Sequence, residues 1–157
     1  MLFEKHHYDF MYAALQEAEK AYEADEVPVG AVVVYKNRII GRGSNQIEIL
    51  KDPTAHAEMI ALTAAANNLN NKVLSSCDIY VTLEPCVMCT GAIINSKIRS
   101  LFFAADDPKS GACGSVYNIP EENKLNHKTD VYSGIYPDES KNLLISFFNG
   151  KRTKPGK

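Results

Sequence analysis

Apolar positions along the chain change period several times, and each change marks an element. Met11, Leu15, Ala18 and Tyr22 recur at steps of four, three and four, the spacing of one face of a helix. Val29–Tyr35 (VGAVVVY) is a nearly unbroken apolar run, as a strand covered on both faces requires. Lys36-Asn37 makes a short turn into Arg38-Ile39-Ile40-Gly41, so the first two strands pair as an antiparallel hairpin. Residues 42–53 read as a loop. Asp52-Pro53 then has the form of a helix start, with Asp as cap and Pro in first position. That helix runs to about Asn67, where the Asn-rich stretch through Asn71 stops it. Asp78–Leu83 alternates as a strand, Pro85 opens a second helix through about Ser96, and Ser100–Ala105 (SLFFAA) is strand-like again. A weaker strand lies near Thr129–Tyr132. The last helix starts near Pro137 with Asp138 and Glu139 in its first turn, and buries Leu143, Leu144, Phe147 and Phe148. The order α-β-β-α-β-α-β-(loop)-β-α places the chain in the α/β class, a mixed sheet covered by helices. Asp106–Lys128 is long for a connection, and such loops in small domains are often functional.

Composition narrows the picture without changing it. The 157 residues fit one domain, expected over 1–150, followed by a basic tail at 151–157. Hydrophobic residues at 45% and charged residues at 23% are ordinary for a globular chain. No apolar run approaches the ~20 residues that span a bilayer, so no membrane partner is expected. The first ten residues carry Glu4, His6, His7 and Asp9 and lack the apolar core of a signal peptide. A cytoplasmic location is therefore expected, with the four cysteines as thiols or metal ligands and not disulfides. A net charge of −2 gives no global support for a nucleic-acid partner. The tail, however, carries Lys151, Arg152, Lys154 and Lys157 and no acid. It suits local phosphate contacts, and equally a solvated end that aids solubility.

Two clusters carry candidate chemistry. His56-Ala57-Glu58 lies in the opening turns of one expected helix, and Pro85-Cys86-Val87-Met88-Cys89 lies where a strand hands over to the next. Cysteines three apart at a helix start share a face, so both reach one metal. Zinc favours nitrogen and sulfur ligands, and three protein ligands leave a fourth position for water, the catalytic arrangement. Helix N-termini also stabilise thiolates. Zinc lowers the pKa of water from about 15.7 towards 7, and Glu58 is placed to take the water's proton and deliver it to a leaving group. Residues two apart point to different sides of an ideal helix, so the pair works only if the metal sits in front of the helix end. A redox Cys-x-x-Cys lacks a thioredoxin-like setting here. A structural zinc site wants a fourth ligand, and Cys77 and Cys113 read more simply as small buried residues.

These segments resemble the bacterial tRNA adenosine deaminase family, over roughly residues 8–152. The resemblance runs through Glu26–Ala31 (EVPVGA), Asp52–Glu58 (DPTAHAE), Leu83–Cys89 (LEPCVMC), Asp107–Ser115 (DPKSGACGS) and Leu125–His127 (LNH). His-Ala-Glu with Pro-Cys-x-x-Cys is shared with cytidine, guanine and deoxycytidylate deaminases, so it indicates the chemistry. The long loop resembles the tRNA enzymes and indicates the substrate. The resemblance implies a cytidine-deaminase-like, three-layer α/β/α sandwich with a mixed five-stranded sheet. It implies hydrolytic deamination of adenosine to inosine at the wobble position of the tRNA anticodon. One zinc per chain is expected on His56, Cys86 and Cys89, with Glu58 as proton shuttle, in a homodimer whose two chains shape each RNA site. The position matching Asn45 hydrogen-bonds the flipped base in the family, and those matching Asp107, Lys109, Asn126, Phe148 and Arg152 contact the anticodon loop. Phe148 suits a core position as well as stacking. Asp106 departs from a position that is often basic in related sequences, and Cys113 from a common alanine. Two rivals stand beside this reading: a free nucleobase or nucleoside deaminase, and a non-catalytic zinc-stabilised RNA-binding module that would not need Glu58.

Overall fold

Five strands in the order β2-β1-β3-β4-β5 form the middle layer: β1 (Gly30–Tyr35), β2 (Arg38–Ser44), β3 (Cys77–Leu83), β4 (Ser100–Ala105) and β5 (Asp130–Ser133). The computed structural model describes residues 2–153, without the side chains at 152 and 153. β1 runs antiparallel to both β2 and β3, while β3-β4 and β4-β5 are parallel, so the sheet is mixed. The hairpin closes through Lys36 and Asn37, both at positive φ (49° and 63°), the two-residue geometry that matches strand twist. β1 alternates its side chains between two cores. Ala31 and Val33 meet α3 (Ala57–Leu69) and α4 (Val87–Asn95) with Val81, Ile93 and Phe103. Val32 and Val34 meet α1 (Lys5–Glu23) with Met11, Ala14 and Phe102. The last helix, α5 (Pro137–Thr153), packs on the α1 side of the sheet and buries Phe147. Helices on both faces complete the expected three-layer sandwich.

Four expectations need correction. β2 continues to Ser44, and the expected loop of residues 42–53 contains a short helix, α2 (Ile47–Leu50). Asp52 does not cap a helix. Its Oδ1 accepts the Thr54 N–H at 2.8 Å and the Thr54 hydroxyl at 2.7 Å, a local turn that competes with helix entry. α3 therefore begins at Ala57 and ends two residues later than expected, with Asn70 in the left-handed conformation. Its partner α4 likewise begins at Val87 and not at Pro85. Finally, Phe148 is 45% exposed, so of the aromatic pair on α5 only Phe147 belongs to the core.

The position of α3 is set by absent side chains on β2. A Cβ on Gly43 would overlap the carbonyl oxygen of Ala57, and one on Gly41 that of Ala61. Both contacts are with helix backbone, which has no rotamer to yield. Gly43→Ala is expected to displace the start of α3 and to destabilise the protein by about 1–3 kcal/mol, the usual cost of overpacking. Gly91→Ala is the control, because nothing lies within 4 Å of that added methyl group. Thermal melting of the two variants compares them, and equal melting temperatures would refute the close-approach argument.

Candidate active site

The C-terminal ends of β2 and β3 and the starts of α3 and α4 meet at one pole of the sheet. His56 and Cys86 occupy the N-cap positions of the two helices, both with extended backbone (ψ 152° and 178°), and neither side chain caps its helix. Their side chains turn towards each other. His56 Nδ1 lies 3.7 Å from Cys86 Sγ and 3.5 Å from Cys89 Sγ, and the three donor atoms all fall within 4.8 Å of one another. Because His56 precedes the helix and Glu58 sits in its first turn, the ideal-helix objection to residues two apart does not arise. Glu58 is 4% exposed and lines the same cavity of about 250 Å³ as His56 and Cys86.

The electrostatics fit a cation between the two helix starts. Cys86 is drawn down to about 4, first by the hydrogen bond from Cys89 and then by His56, with partial burial opposing. Cys89 is pushed up, because its S–H is given to Cys86 and it is buried. His56 is raised by its hydrogen bond to the Cys86 sulfur. One nitrogen and two sulfurs thus share protons at a single point, where a soft divalent ion would take their place. Burial pushes the Glu58 carboxyl up to about 7, opposed by a backbone hydrogen bond and His56. A buried acid with affinity for a proton near neutrality is suited to taking one up and giving it back.

Of the positions that the resemblance assigns to substrate, Asn45 and Asp107 lie on the cavity wall with the ligand group. Asn45 is 6% exposed; its Nδ2 donates to the Val27 carbonyl at 3.2 Å and its Oδ1 accepts the Ile47 N–H at 3.3 Å. That leaves one donor and one acceptor of a fixed amide for a ligand. Lys109 and Phe148 come together outside, around a recess of about 330 Å³. A larger recess of about 660 Å³, bordered by Phe147, Phe148 and Lys151, shares Val27, Asn45 and Ile47 with the inner cavity. Asn126 is exposed and is not among the residues lining either. The Arg152 side chain and residues 154–157 lie outside the described residues, and α5 carries the chain helically past 150. Lys151 is held by the body of the protein, 3.0 Å from Asp25. Cys77 and Cys113 are buried and stand apart from the ligand group.

Two carboxylates at this pole escaped the sequence reading. Glu26 is 1% exposed and holds the start of α2, accepting the Glu48 and Ile49 N–H groups at 3.0 and 2.8 Å. Glu84, 2% exposed, also lines the cavity. Burial would raise it, but the Ser115 hydroxyl and three backbone N–H groups hold it below the ordinary carboxylate value. The one available signal was position: Glu84 sits between Leu83 and Pro85 at the end of an apolar run, and Glu26 directly precedes Val27-Pro28 and the apolar run of β1.

An α/β/α sandwich with His-x-Glu and Pro-Cys-x-x-Cys at two facing helix starts defines a deaminase of the cytidine-deaminase-like class, and the MafB19-like deaminase family model matches residues 5–152. Relatives narrow the class. The chain is 48% identical to a tRNA-specific adenosine deaminase of Aquifex aeolicus, over 91% of this chain and 94% of that protein. It is 47% identical to the one of Haemophilus influenzae, over 90% and 83% respectively. A solved structure from studies of A-to-I editing by tRNA deaminases at the wobble position superposes with a TM-score of 0.84 at 45% identity, covering 87% of this chain and 99% of that one. A guanine deaminase from Nitrosomonas europaea is more distant, with a TM-score of 0.74 at 28% identity, covering 89% and 83%. The chain belongs to the tRNA-specific adenosine deaminase family.

Proposed function

We propose that this protein deaminates adenosine to inosine at the wobble position of a tRNA anticodon, releasing ammonia. The observation that carries it is the convergence of His56, Cys86 and Cys89 beside a cavity, lined by His56, Cys86 and buried Glu58, that shares three wall residues with a larger outer recess. His56 Nδ1 and the Cys86 and Cys89 sulfurs would hold one zinc ion, which when bound activates water for attack and leaves one position open. Glu58 takes the proton of the attacking water as the new bond to the adenine C6 carbon forms. It passes that proton to the ring nitrogen beside C6 and then moves the proton of the new C6 hydroxyl to the amino group, which leaves as ammonia as the C6 carbonyl forms. Asn45 presents its remaining amide donor and acceptor to the base edge and fixes the ring relative to Glu58.

The inner cavity suits a single base, and a paired adenine cannot enter it. A hairpin loop supplies an unpaired base at low cost, and its neighbours can stack on an exposed aromatic such as Phe148. Lys109, on the smaller recess that it shares with Phe148, meets the backbone phosphates. Arg152 and the rest of the basic tail belong to the same proposal. So does a homodimer, supported by exposed Val87, Val116 and Tyr117, which offer apolar surface close in sequence to the ligand turn and the long loop.

The test compares an anticodon stem-loop carrying wobble adenosine with free adenosine and free guanine. The stem-loop is expected to react far faster than either, and cytidine at the same position to give almost no product. Binding should weaken as salt rises, with a shallower slope after Lys109→Ala. Equal rates on the free nucleoside and the stem-loop, or rapid release of ammonia from guanine, would favour a small-molecule deaminase instead.

A further inference from the structure

Glu84 is one of two buried carboxylates at the active pole that the chemistry does not use, and the one on the wall of the inner cavity. It lies between the end of β3 and the Cys86 turn, and its carboxylate is enclosed by donors from the long loop. Oε1 accepts the Asp107 N–H at 3.0 Å and the Ser115 hydroxyl; Oε2 accepts the N–H groups of Cys113 at 3.0 Å and Ser115 at 3.1 Å. Residues 107–115 therefore wind around a single anion. Gly111 approaches so closely that a Cβ there would overlap the carboxylate. The neighbouring backbone is fastened in the same way: Glu84 N–H donates to the Ala105 carbonyl at 2.8 Å, and Ala112 N–H to the Pro85 carbonyl at 2.9 Å. The loop turns Asp107 and Ser110 towards the inner cavity and Lys109 towards the smaller recess that it shares with Phe148.

We propose that Glu84 is a positioning residue, whose carboxylate sets the 107–115 loop against the ligand-bearing turn and so fixes where RNA is gripped relative to the reacting base. The proposal rests on the tRNA reading for its substrate. A glutamine would keep the volume but place an N–H₂ group against donors, leaving buried N–H groups unmet. Ser115→Ala removes one of the bonds and leaves the charge in place.

The experiment uses the full-length, metal-loaded protein as Glu84→Gln, Ser115→Ala, Lys109→Ala, and the Glu84→Gln/Lys109→Ala double variant. Kinetics on the wobble-adenosine stem-loop separate KM from kcat, and amide hydrogen exchange reads the loop directly. Glu84→Gln is expected to keep its metal, raise KM at least ~10-fold and leave kcat within about 3-fold, the pattern of lost binding and intact chemistry. Exchange at Cys113 and Ser115 should quicken. Lys109→Ala should raise KM in the parent and add nothing further in the Glu84→Gln background, since the grip is already displaced. Ser115→Ala should repeat the KM and exchange changes at smaller size, and it decides the matter if Glu84→Gln does not fold. A fall in kcat at unchanged KM, additive effects of Lys109→Ala, or unchanged exchange overturns the proposal. If the parent does not act on the stem-loop at all, the tRNA reading falls, and the exchange data alone then decide the role of Glu84.

Discussion

Glu58→Ala is expected to yield a folded protein that retains its metal and has lost about 10²–10⁴-fold or more in turnover, the contribution of a positioned general acid–base group. Glu58 sits in the first turn of α3, is buried, and shares the cavity with His56 and Cys86, yet it is not one of the three converging donor atoms. Removing it leaves the ligand group complete. What disappears is the carboxyl that, among the described residues, is placed to move a proton between water and the departing amine; on the same wall Glu84 is saturated by loop donors, and Asp107 Oδ1 accepts the Lys109 and Ser110 N–H groups. Single-turnover inosine formation and metal content per chain measure the two halves of the statement. Near-normal turnover in Glu58→Ala would assign the proton transfer elsewhere, and loss of metal would make Glu58 a ligand.

Cys86→Ala and Cys89→Ala are each expected to abolish metal binding and with it all measurable deamination. The thiol lost in either variant cannot be replaced nearby, because among the described residues no other thiol reaches the group. Cys77→Ser and Cys113→Ser should instead keep about one metal per chain, as an open three-ligand site needs no fourth side chain. Cys77 is enclosed in the core beside α3 and α4, and the Cys113 sulfur is occupied by the Thr90 hydroxyl at 3.4 Å. Metal analysis of the four purified variants separates these outcomes. Loss of metal in either serine variant would point to a closed, structural site.

The elements were legible wherever one physical signal dominated. The unbroken apolar run of β1, the Lys36-Asn37 turn and the four-three-four spacing of α1 each fixed a type of structure without competition. That His56, Cys86 and Cys89 come together was legible too, since metal chemistry restricts residue type and spacing severely. Misreadings fell where a polar side chain had two uses. Asp52 looks like a cap but closes a local turn on Thr54, which moves the start of α3 to Ala57 and lets His56 precede it. Phe148 shares its period with Phe147, yet the helix face rotates it outward. Glu26 and Glu84 drew no role of their own from the sequence, because their partners are backbone N–H groups from segments that only the fold brings near.

His56 and Cys86, at the caps of two helices whose first N–H groups they leave unserved, carry a consequence for selection. Serine, aspartate or asparagine at an N-cap is worth about 1 kcal/mol over residues that cannot accept those bonds. A library ranked by melting temperature in the absence of metal would therefore drift towards Ser or Asp at positions 56 and 86. Every step of that drift would make a sturdier and chemically inert protein, so screens for robustness in this scaffold must hold both positions constant or score turnover alongside stability.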